Sequence, residues 1–272
     1  VSPAGRRFYK MSGSGNDFVI FDARKEPAGP LESAAEIQRI CARATGVGAD
    51  GVVFIETSAR ADLLMKYFNS DGTRAAMCGN AALCVTNLAR ELGVGASAGM
   101  RLQTDEGILP ARVAAGLPEV DLQPVREVRE DAGIVMAPGE RRVGFALAGV
   151  PHLVVLCDDV LVVDVVGRGR PLRRHTALPQ GANVNFVSRR REGWAIRTYE
   201  RGVEAETLAC GTGAIATAVL LTAWGEQTAP ETELETRSGR RLIVRLDHKA
   251  GDWKPTLRGE GRLVFTGELG QA

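Results

Sequence analysis

The chain of 272 residues is 44% hydrophobic and 25% charged, the balance of a soluble globular protein, and at this length it suits two compact domains rather than one small core. With 34 Lys and Arg against 33 Asp and Glu, the net charge of +1 offers no bulk field to nucleic acid or an anionic membrane, so neither is an expected partner. No apolar run approaches the roughly 20 residues that span a bilayer, residues 1–10 hold no signal-peptide-like segment, and five irregularly spaced cysteines make no disulfide framework; the expectation is a cytoplasmic protein with reduced thiols.

In chain order, residues 7–11 and 18–22 read as strands around Ser12-Gly13-Ser14-Gly15-Asn16-Asp17, whose glycines and Asn signal a hairpin turn. Residues 31–43 carry Ile37, Ile40 and Cys41 among polar neighbours and predict a surface helix stopping near Gly46. Strands follow over 52–56 and 63–68. Residues 78–92 are helical in period and apolar nearly all round (Ala81, Ala82, Leu83, Cys84, Val85, Leu88, Ala89), which predicts a helix buried inside its domain. Strands are expected over 101–104, 109–114 and 119–122. From 123 to 140 the chain turns charged and proline-bearing and reads as the crossing between domains. Strands resume over 143–148 and 153–157, and a polar stretch over 167–174 with Pro171 predicts a short helix or loop. Strands over 183–188 and 194–199 precede a second nearly all-apolar helix over 210–224, and strands over 233–236, 242–246 and 263–266 finish the chain.

Shifted by 132 positions, the sequence aligns with itself. Cys78 meets Cys210, Tyr67 meets Tyr199, Gly79 meets Gly211, Leu88 meets Leu220, Gly93 meets Gly225, Leu102 meets Leu234, Thr104 meets Thr236 and Gly107 meets Gly239. Two homologous halves follow, each strand-rich with one buried helix. The fold expected is α+β, with two pseudo-symmetric domains, each a mixed β-sheet wrapped around a central helix. The boundaries expected are 1–124 plus about 262–272 for the first domain and 125–261 for the second, with one site in the cleft between them that receives one thiol from each half.

The repeat sets Cys78 and Cys210 where helix dipoles begin, and a helix start favours the thiolate. The first N–H groups, unobstructed at Gly79 and Gly211, form a ready anion site for a substrate carboxylate. A thiolate on one face could remove an α-proton while a thiol on the other returns one, inverting the carbon, with the developing charge held at the helix starts. No metal or pyridoxal is required. Cys41, Cys84 and Cys157 sit among apolar neighbours and read as small buried hydrophobes instead.

The motifs Gly13-Ser14-Gly15-Asn16-Asp17-Phe18, Gly48-Ala49-Asp50-Gly51, Phe68-Asn69-Ser70-Asp71-Gly72, Cys78-Gly79-Asn80, Pro151-His152, Asn183-Val184-Asn185-Phe186, Tyr199-Glu200-Arg201-Gly202 and Cys210-Gly211-Thr212-Gly213 stand in an order and spacing that resembles the diaminopimelate epimerases over nearly the whole chain. The resemblance implies a cofactor-independent two-base epimerase interconverting LL- and meso-2,6-diaminopimelate in lysine biosynthesis, often a homodimer. By the same resemblance, Cys78 and Cys210 would be the acid/base pair and Gly79, Asn80, Gly211 and Thr212 would hold the reacting carboxylate. Asn16, Asn69, Asn183 and Arg201 would bind the substrate's polar groups, Arg201 gripping the distal carboxylate. Glu200 would meet the amino group and, with His152, tune the thiols. Plainer readings stand beside these: the asparagines as turn residues, His152 as a satisfied buried imidazole, and Glu200 with Arg201 as an exposed charge pair of little worth. The chain departs from the family pattern at Val150, where an asparagine is common, and at Asn80-Ala81-Ala82-Leu83, where a second glycine and an arginine are usual. Ala81 narrows access to the anion site, and both departures bear on the substrate rather than on the reaction type.

Gly46-Val47-Gly48-Ala49-Asp50-Gly51 fits a dinucleotide pattern, but it follows a helix and precedes a strand, the reverse of the required order. Gly211-Thr212-Gly213-Ala214-Ile215-Ala216 opens a helix and has Glu231, Glu233 and Glu235 about 20 residues on, yet the first half repeats that helix without the glycines. An NAD-binding oxidoreductase is therefore a remote alternative. A proline or hydroxyproline racemase-like enzyme of the same architecture is a nearer one, and a thiol switch joining Cys78 to Cys210 is a third.

Overall fold

The computed structural model describes residues 4–95, 99–249 and 251–270. Backbone contacts group the chain into two units, Val1–Val120 with Arg258–Ala272, and Asp121–Leu257. The first unit runs β1 (Arg7–Gly13), β2 (Asn16–Asp22), α1 (Ala34–Cys41), β3 (Gly51–Glu56), β4 (Leu63–Asn69), β5 (Arg74–Ala75), α2 (Gly79–Glu91), β6 (Met100–Thr104), β7 (Gly107–Ala114) and β8 (Leu117–Asp121). The second runs β9 (Val128–Arg129), β10 (Glu140–Ala148), β11 (Val150–Cys157), α3 (Val165–Arg173), β12 (Asn183–Arg189), β13 (Trp194–Glu200), β14 (Ala205–Thr207), α4 (Gly211–Ala223), β15 (Glu231–Glu235), β16 (Arg241–Lys249) and β17 (Asp252–Gly259). A last strand, β18 (Arg262–Glu268), pairs antiparallel with β1.

The repeat seen in the sequence recurs in the pairing. In the first unit β2 runs parallel to β3, β3 antiparallel to β4, β4 antiparallel to β5 and parallel to β6, and β6 antiparallel to β7. The second unit repeats each step with β11 and β12, β12 and β13, β13 with β14 and β15, and β15 with β16. Each unit is thus a mixed sheet, and the fold class is α+β.

Strand alternation divides each sheet into two faces. In the second unit Leu153, Val155, Val184, Phe186 and Tyr199 enter one core with Val165 and Leu172 of α3. Their neighbours His152, Asn183, Asn185, Thr198 and Glu200 therefore take the opposite face. There α4 packs on β10, β11 and β12, close enough that a Cβ on Gly144 would lie 2.7 Å from Leu220 Cδ2. In the first unit Val19, Phe21, Val52, Phe54 and Phe68 meet Ile37, Ile40 and Cys41 of α1, and α2 packs against β1, β2, β4 and β7.

Both central helices match the prediction to within a residue at each end, because the same two devices bound them. Each is opened by a cysteine in extended conformation. Each is closed by a glycine at positive φ, Gly93 at 70° and Gly225 at 75°, after which Val94 N–H bonds Ala89 O and Glu226 N–H bonds Leu221 O, the pattern of a Schellman cap. Burying Ile215, Val219, Leu220 and Leu221 of α4 stabilises the second unit by about 1.5–3 kcal/mol per side chain.

The structure revises several local expectations. The helix expected over 31–43 divides into a 3-10 turn, Gly29–Glu32, and α1, because Ser33 is extended and its hydroxyl caps α1 by accepting from Glu36 N–H. The polar stretch expected as a short helix or loop over 167–174 is α3, started by Asp164 accepting from Gly167 N–H at 2.8 Å. The charged segment 123–140 is no bare crossing: Val128 and Arg129 pair with Ala146 and Phe145, and Ala132 and Ile134 enter the core. Strand β17 was not foreseen. Its Trp253 and Pro255 carbonyls accept from Val125 and Leu122 N–H, and Pro255 broke the strand signal.

Candidate functional site

In the first unit the residues gather at the start of α2. Cys78 is its N-cap residue, half-buried, at φ −138° and ψ 120°. Asn80, the second residue of the helix and 1% exposed, donates from Nδ2 to Asn16 Oδ1 at 2.6 Å. Asn16 stands at the β1–β2 hairpin, where Ser14 and Gly15 both have positive φ, as a two-residue hairpin turn of this hand requires. Gly13 lets that hairpin rest on the helix, since a Cβ there would lie 2.6 Å from Asn80 O.

A charged network that the sequence reading did not find fixes Asn16 from behind. Asn16 Nδ2 donates to Asp50 Oδ2 at 3.0 Å, and Arg43 bridges Asp50 and Asp17. Lys10 pairs with Asp17 at 2.6 Å and also donates to Gly48 O. Burial works to raise the Asp17 pKa, but the hydrogen bonds and charges of Arg43 and Lys10 outweigh it and hold the carboxyl below its usual range. Its traces in the sequence were the Gly48-Ala49-Asp50-Gly51 motif and Asp17 in the motif that begins at Gly13. Asn69 donates from Nδ2 to Thr73 Oγ1 at 3.1 Å, and its backbone N–H bonds Thr73 O in the β4–β5 turn.

In the second unit Cys210 caps α4 at φ −141° and ψ 110°, nearly the backbone of Cys78. Its Sγ accepts from Gly213 N–H at 3.4 Å and lies 3.5 Å from Thr212 Oγ1. Gly211 is buried at the helix start, as Gly79 is in the first unit. Asn183 Oδ1 accepts from Arg201 N–H at 2.7 Å, and the Arg201 guanidinium donates to Gln180 O at 2.9 Å. Glu200 ends β13, half-buried, and its carbonyl accepts from Glu204 N–H.

His152 is fully buried. Burial, reinforced by the positive charge of Arg201, pushes its pKa down to about 3, so the ring is neutral at ordinary pH. Its partner is Asn185, whose Nδ2 lies 3.1 Å from His152 Nδ1. In the sequence Asn185 is marked only by its two-residue spacing from Asn183, which puts both on one face. The three cysteines read as structural are buried, and burial drives Cys41 up to about 11, Cys157 up to about 12 and Cys84 well above the usual thiol range.

The thiols do not sit in the cleft of about 540 Å³ lined by Thr86, Arg90, Met100 and Arg112. That cleft is at the far end of α2 from Cys78. Among the described residues no three His, Cys, Asp or Glu side chains are grouped to hold a metal ion, and no helix is long and apolar enough to cross a membrane.

A sequence model of the diaminopimelate epimerase family matches residues 8–126 and 145–264. The diaminopimelate epimerase of Gemmatimonas aurantiaca is 50% identical over 273 residues, covering 96% of this chain and 98% of that protein. That of Aquifex aeolicus is 38% identical over 278 residues, covering 97% and 98%. Among solved structures, a PhzF-family phenazine biosynthesis protein from Bacillus anthracis superposes with a TM-score of 0.74 at 16% identity, covering 97% of this chain and 98% of that one. A hydroxyproline epimerase from Agrobacterium vitis gives 0.66 at 18%, covering 97% and 92%. At such identities these structures establish a shared fold.

Proposed function

Because the chain belongs to the diaminopimelate epimerase family, and is by that membership an isomerase, we propose that it interconverts LL- and meso-2,6-diaminopimelate by two-base chemistry at Cys78 and Cys210. One thiolate takes the α-proton: the C–H bond breaks, an S–H bond forms, and the electron pair moves into the carboxylate. The other thiol then delivers its proton to the opposite face, so C–H forms again with inverted configuration and the thiolate passes from one sulfur to the other. The N–H groups at Gly79, Asn80, Gly211 and Thr212 hold the carboxylate as it gains charge. Asn16, Asn69, Asn183 and Arg201 bind the remaining polar groups, Arg201 taking the distal carboxylate, Glu200 the amino group.

The observation that carries this reading is the matched pair of caps. Two cysteines, related by the internal repeat, open two buried helices with backbone angles that agree within about 10°. Three other thiols in the chain are buried and pushed up in pKa.

The test is incubation of the reduced protein with LL-diaminopimelate in D₂O, following deuterium at the α-carbon and the appearance of the meso isomer. Both are expected in wild type, and both should be lost in Cys78→Ala and in Cys210→Ala. Full activity in either variant overturns the two-base assignment. Failure of wild type to exchange this substrate, with thiols titrated as reduced, overturns the substrate and directs attention to other amino acids. Pairing of two copies and a cytoplasmic location belong to the same proposal, checked by light scattering and cell fractionation.

A further inference from the structure

The side chain of Asn185 is held from both ends. Its Nδ2 donates to Leu153 O at 2.9 Å and meets His152 Nδ1 at 3.1 Å, while its Oδ1 accepts from Thr198 Oγ1 at 2.9 Å. A backbone carbonyl can only accept, so the contact with Leu153 O fixes which end of the amide is nitrogen. The second amide hydrogen then points to His152 Nδ1, which must present a lone pair. A neutral imidazole with Nδ1 unprotonated carries its hydrogen on Nε2. His152 Nε2 is buried, and no atom of the described residues pairs with it. At its other end Asn185 touches the first turn of α4: a Cβ on Gly213 would lie 2.3 Å from Asn185 Oδ1, and Gly213 N–H is the donor to Cys210 Sγ.

Resting on the epimerase reading above, we propose that Asn185 is a positioning residue that holds His152 as the Nε2–H tautomer, making this imidazole a hydrogen-bond donor rather than a base, while it seats the turn carrying Cys210. The alternation of β11, β12 and β13 places His152, Asn183, Asn185, Thr198 and Glu200 on the face that α4 covers, so the donor belongs to the same face as the residues assigned to substrate. A buried donor with no acceptor costs about 1–3 kcal/mol, a cost that an arriving acceptor, such as a substrate carboxylate oxygen or a thiolate, would relieve. As a base, His152 would have to take a proton in a site that strongly disfavours the imidazolium; as a donor it acts with no change of charge.

The test needs no substrate at its first stage. The chain has three histidines, so in ¹⁵N-histidine-labelled protein the His152 signals are assigned by their absence in His152→Gln. Wild type at pH 7 should show a protonated Nε2 and an unprotonated Nδ1. Asn185→Asp, which offers a carboxylate to Nδ1, should move the hydrogen to Nδ1 and lower kcat at least tenfold with KM changed less than threefold. Asn185→Leu, which removes the donor without adding charge, should give a mixture of tautomers and an intermediate kcat, and it serves alone if the aspartate variant does not fold. Wild type with Nδ1 protonated overturns the proposal. So does a folded variant that changes the tautomer and keeps full kcat. The tautomer result stands whether or not diaminopimelate proves to be the substrate, so the two readings fail separately.

Discussion

Asn80 Nδ2 donates to Asn16 Oδ1 at 2.6 Å, and that bond can run in only one direction, because Asn16 spends its own Nδ2 on Asp50. Replacing Asn80 therefore has a defined sign. Asn80→Ala leaves Asn16 Oδ1 without its donor and should cost about 1–3 kcal/mol. Asn80→Asp should cost more. A carboxylate in the first turn of a helix ordinarily gains up to about 1 kcal/mol, but here it would be buried against Asn16 Oδ1 with Asp50 behind. Urea unfolding of the two variants decides, and an aspartate variant more stable than the alanine variant would refute the bond direction.

The sequence made the elements of this fold more legible than their local contacts. Helices α2 and α4 were readable because apolar residues recur around the whole cylinder and a glycine stops each one; the paired cysteines were readable because the repeat aligned them. Asn185 was not, since its role depends on β11 lying beside β12 and on α4 crossing above, contacts separated by about 30 residues of chain. The ion network of Lys10, Asp17, Arg43 and Asp50 was hidden for the same reason. Short strands β5, β9 and β14 were missed because two or three residues carry too little periodicity to count.

Alkylation should divide the five cysteines. Thiolates react and thiols do not, and at pH 8 a group raised to about 11, as Cys41 is, is ionised in roughly one molecule in a thousand. Cys157, pushed up to about 12, is ionised less still, burial likewise drives Cys84 well above the usual thiol range, and all three are buried, whereas Cys78 and Cys210 are half-buried. Limiting iodoacetamide followed by peptide mass spectrometry should find Cys78 and Cys210 modified more than tenfold faster than the others, with epimerase activity lost in step. Labelling of Cys84 at a comparable rate in the folded protein would contradict the packing described for α2.

Gly213→Ala sets two effects against each other. Alanine favours a helix over glycine by about 1 kcal/mol. The added methyl would, however, lie 2.3 Å from Asn185 Oδ1, and that oxygen cannot swing aside while the same amide bonds Leu153 O, His152 and Thr198. Overpacking of this kind costs about 1–3 kcal/mol, so the net change should be destabilising, and activity should fall as the Cys210 turn shifts. In the double variant with Asn185→Ala the clash is relieved, and a double-mutant cycle should return a favourable coupling above about 0.5 kcal/mol. Simple additivity would mean that the two residues do not press on each other.

His152 ties stability to pH, with a sign opposite to that of a histidine in an ion pair. The folded protein holds its pKa down at about 3, against an ordinary value of 6.5. Between those two values the unfolded chain therefore takes up a proton that the native state refuses. The stability this residue contributes is complete above pH 6.5 and is lost progressively as pH falls toward 3. At about 1.36 kcal/mol per unit, the loss from His152 alone should reach about 3 kcal/mol by roughly pH 4.5. The carboxyls held below their usual range, Asp17, Asp22, Asp71 and Glu204, also favour the native state less as they protonate, but they do so lower on the scale. Unfolding midpoints measured at half-unit steps from pH 7.5 to 4.5, in wild type and in His152→Gln, isolate the histidine by subtraction. The glutamine variant should start less stable, having lost the contact with Asn185, and its curve should then fall less steeply and approach wild type as the pH drops. Parallel curves would mean that the imidazole takes its proton in the folded state, and with it would fall the picture of His152 as a neutral donor.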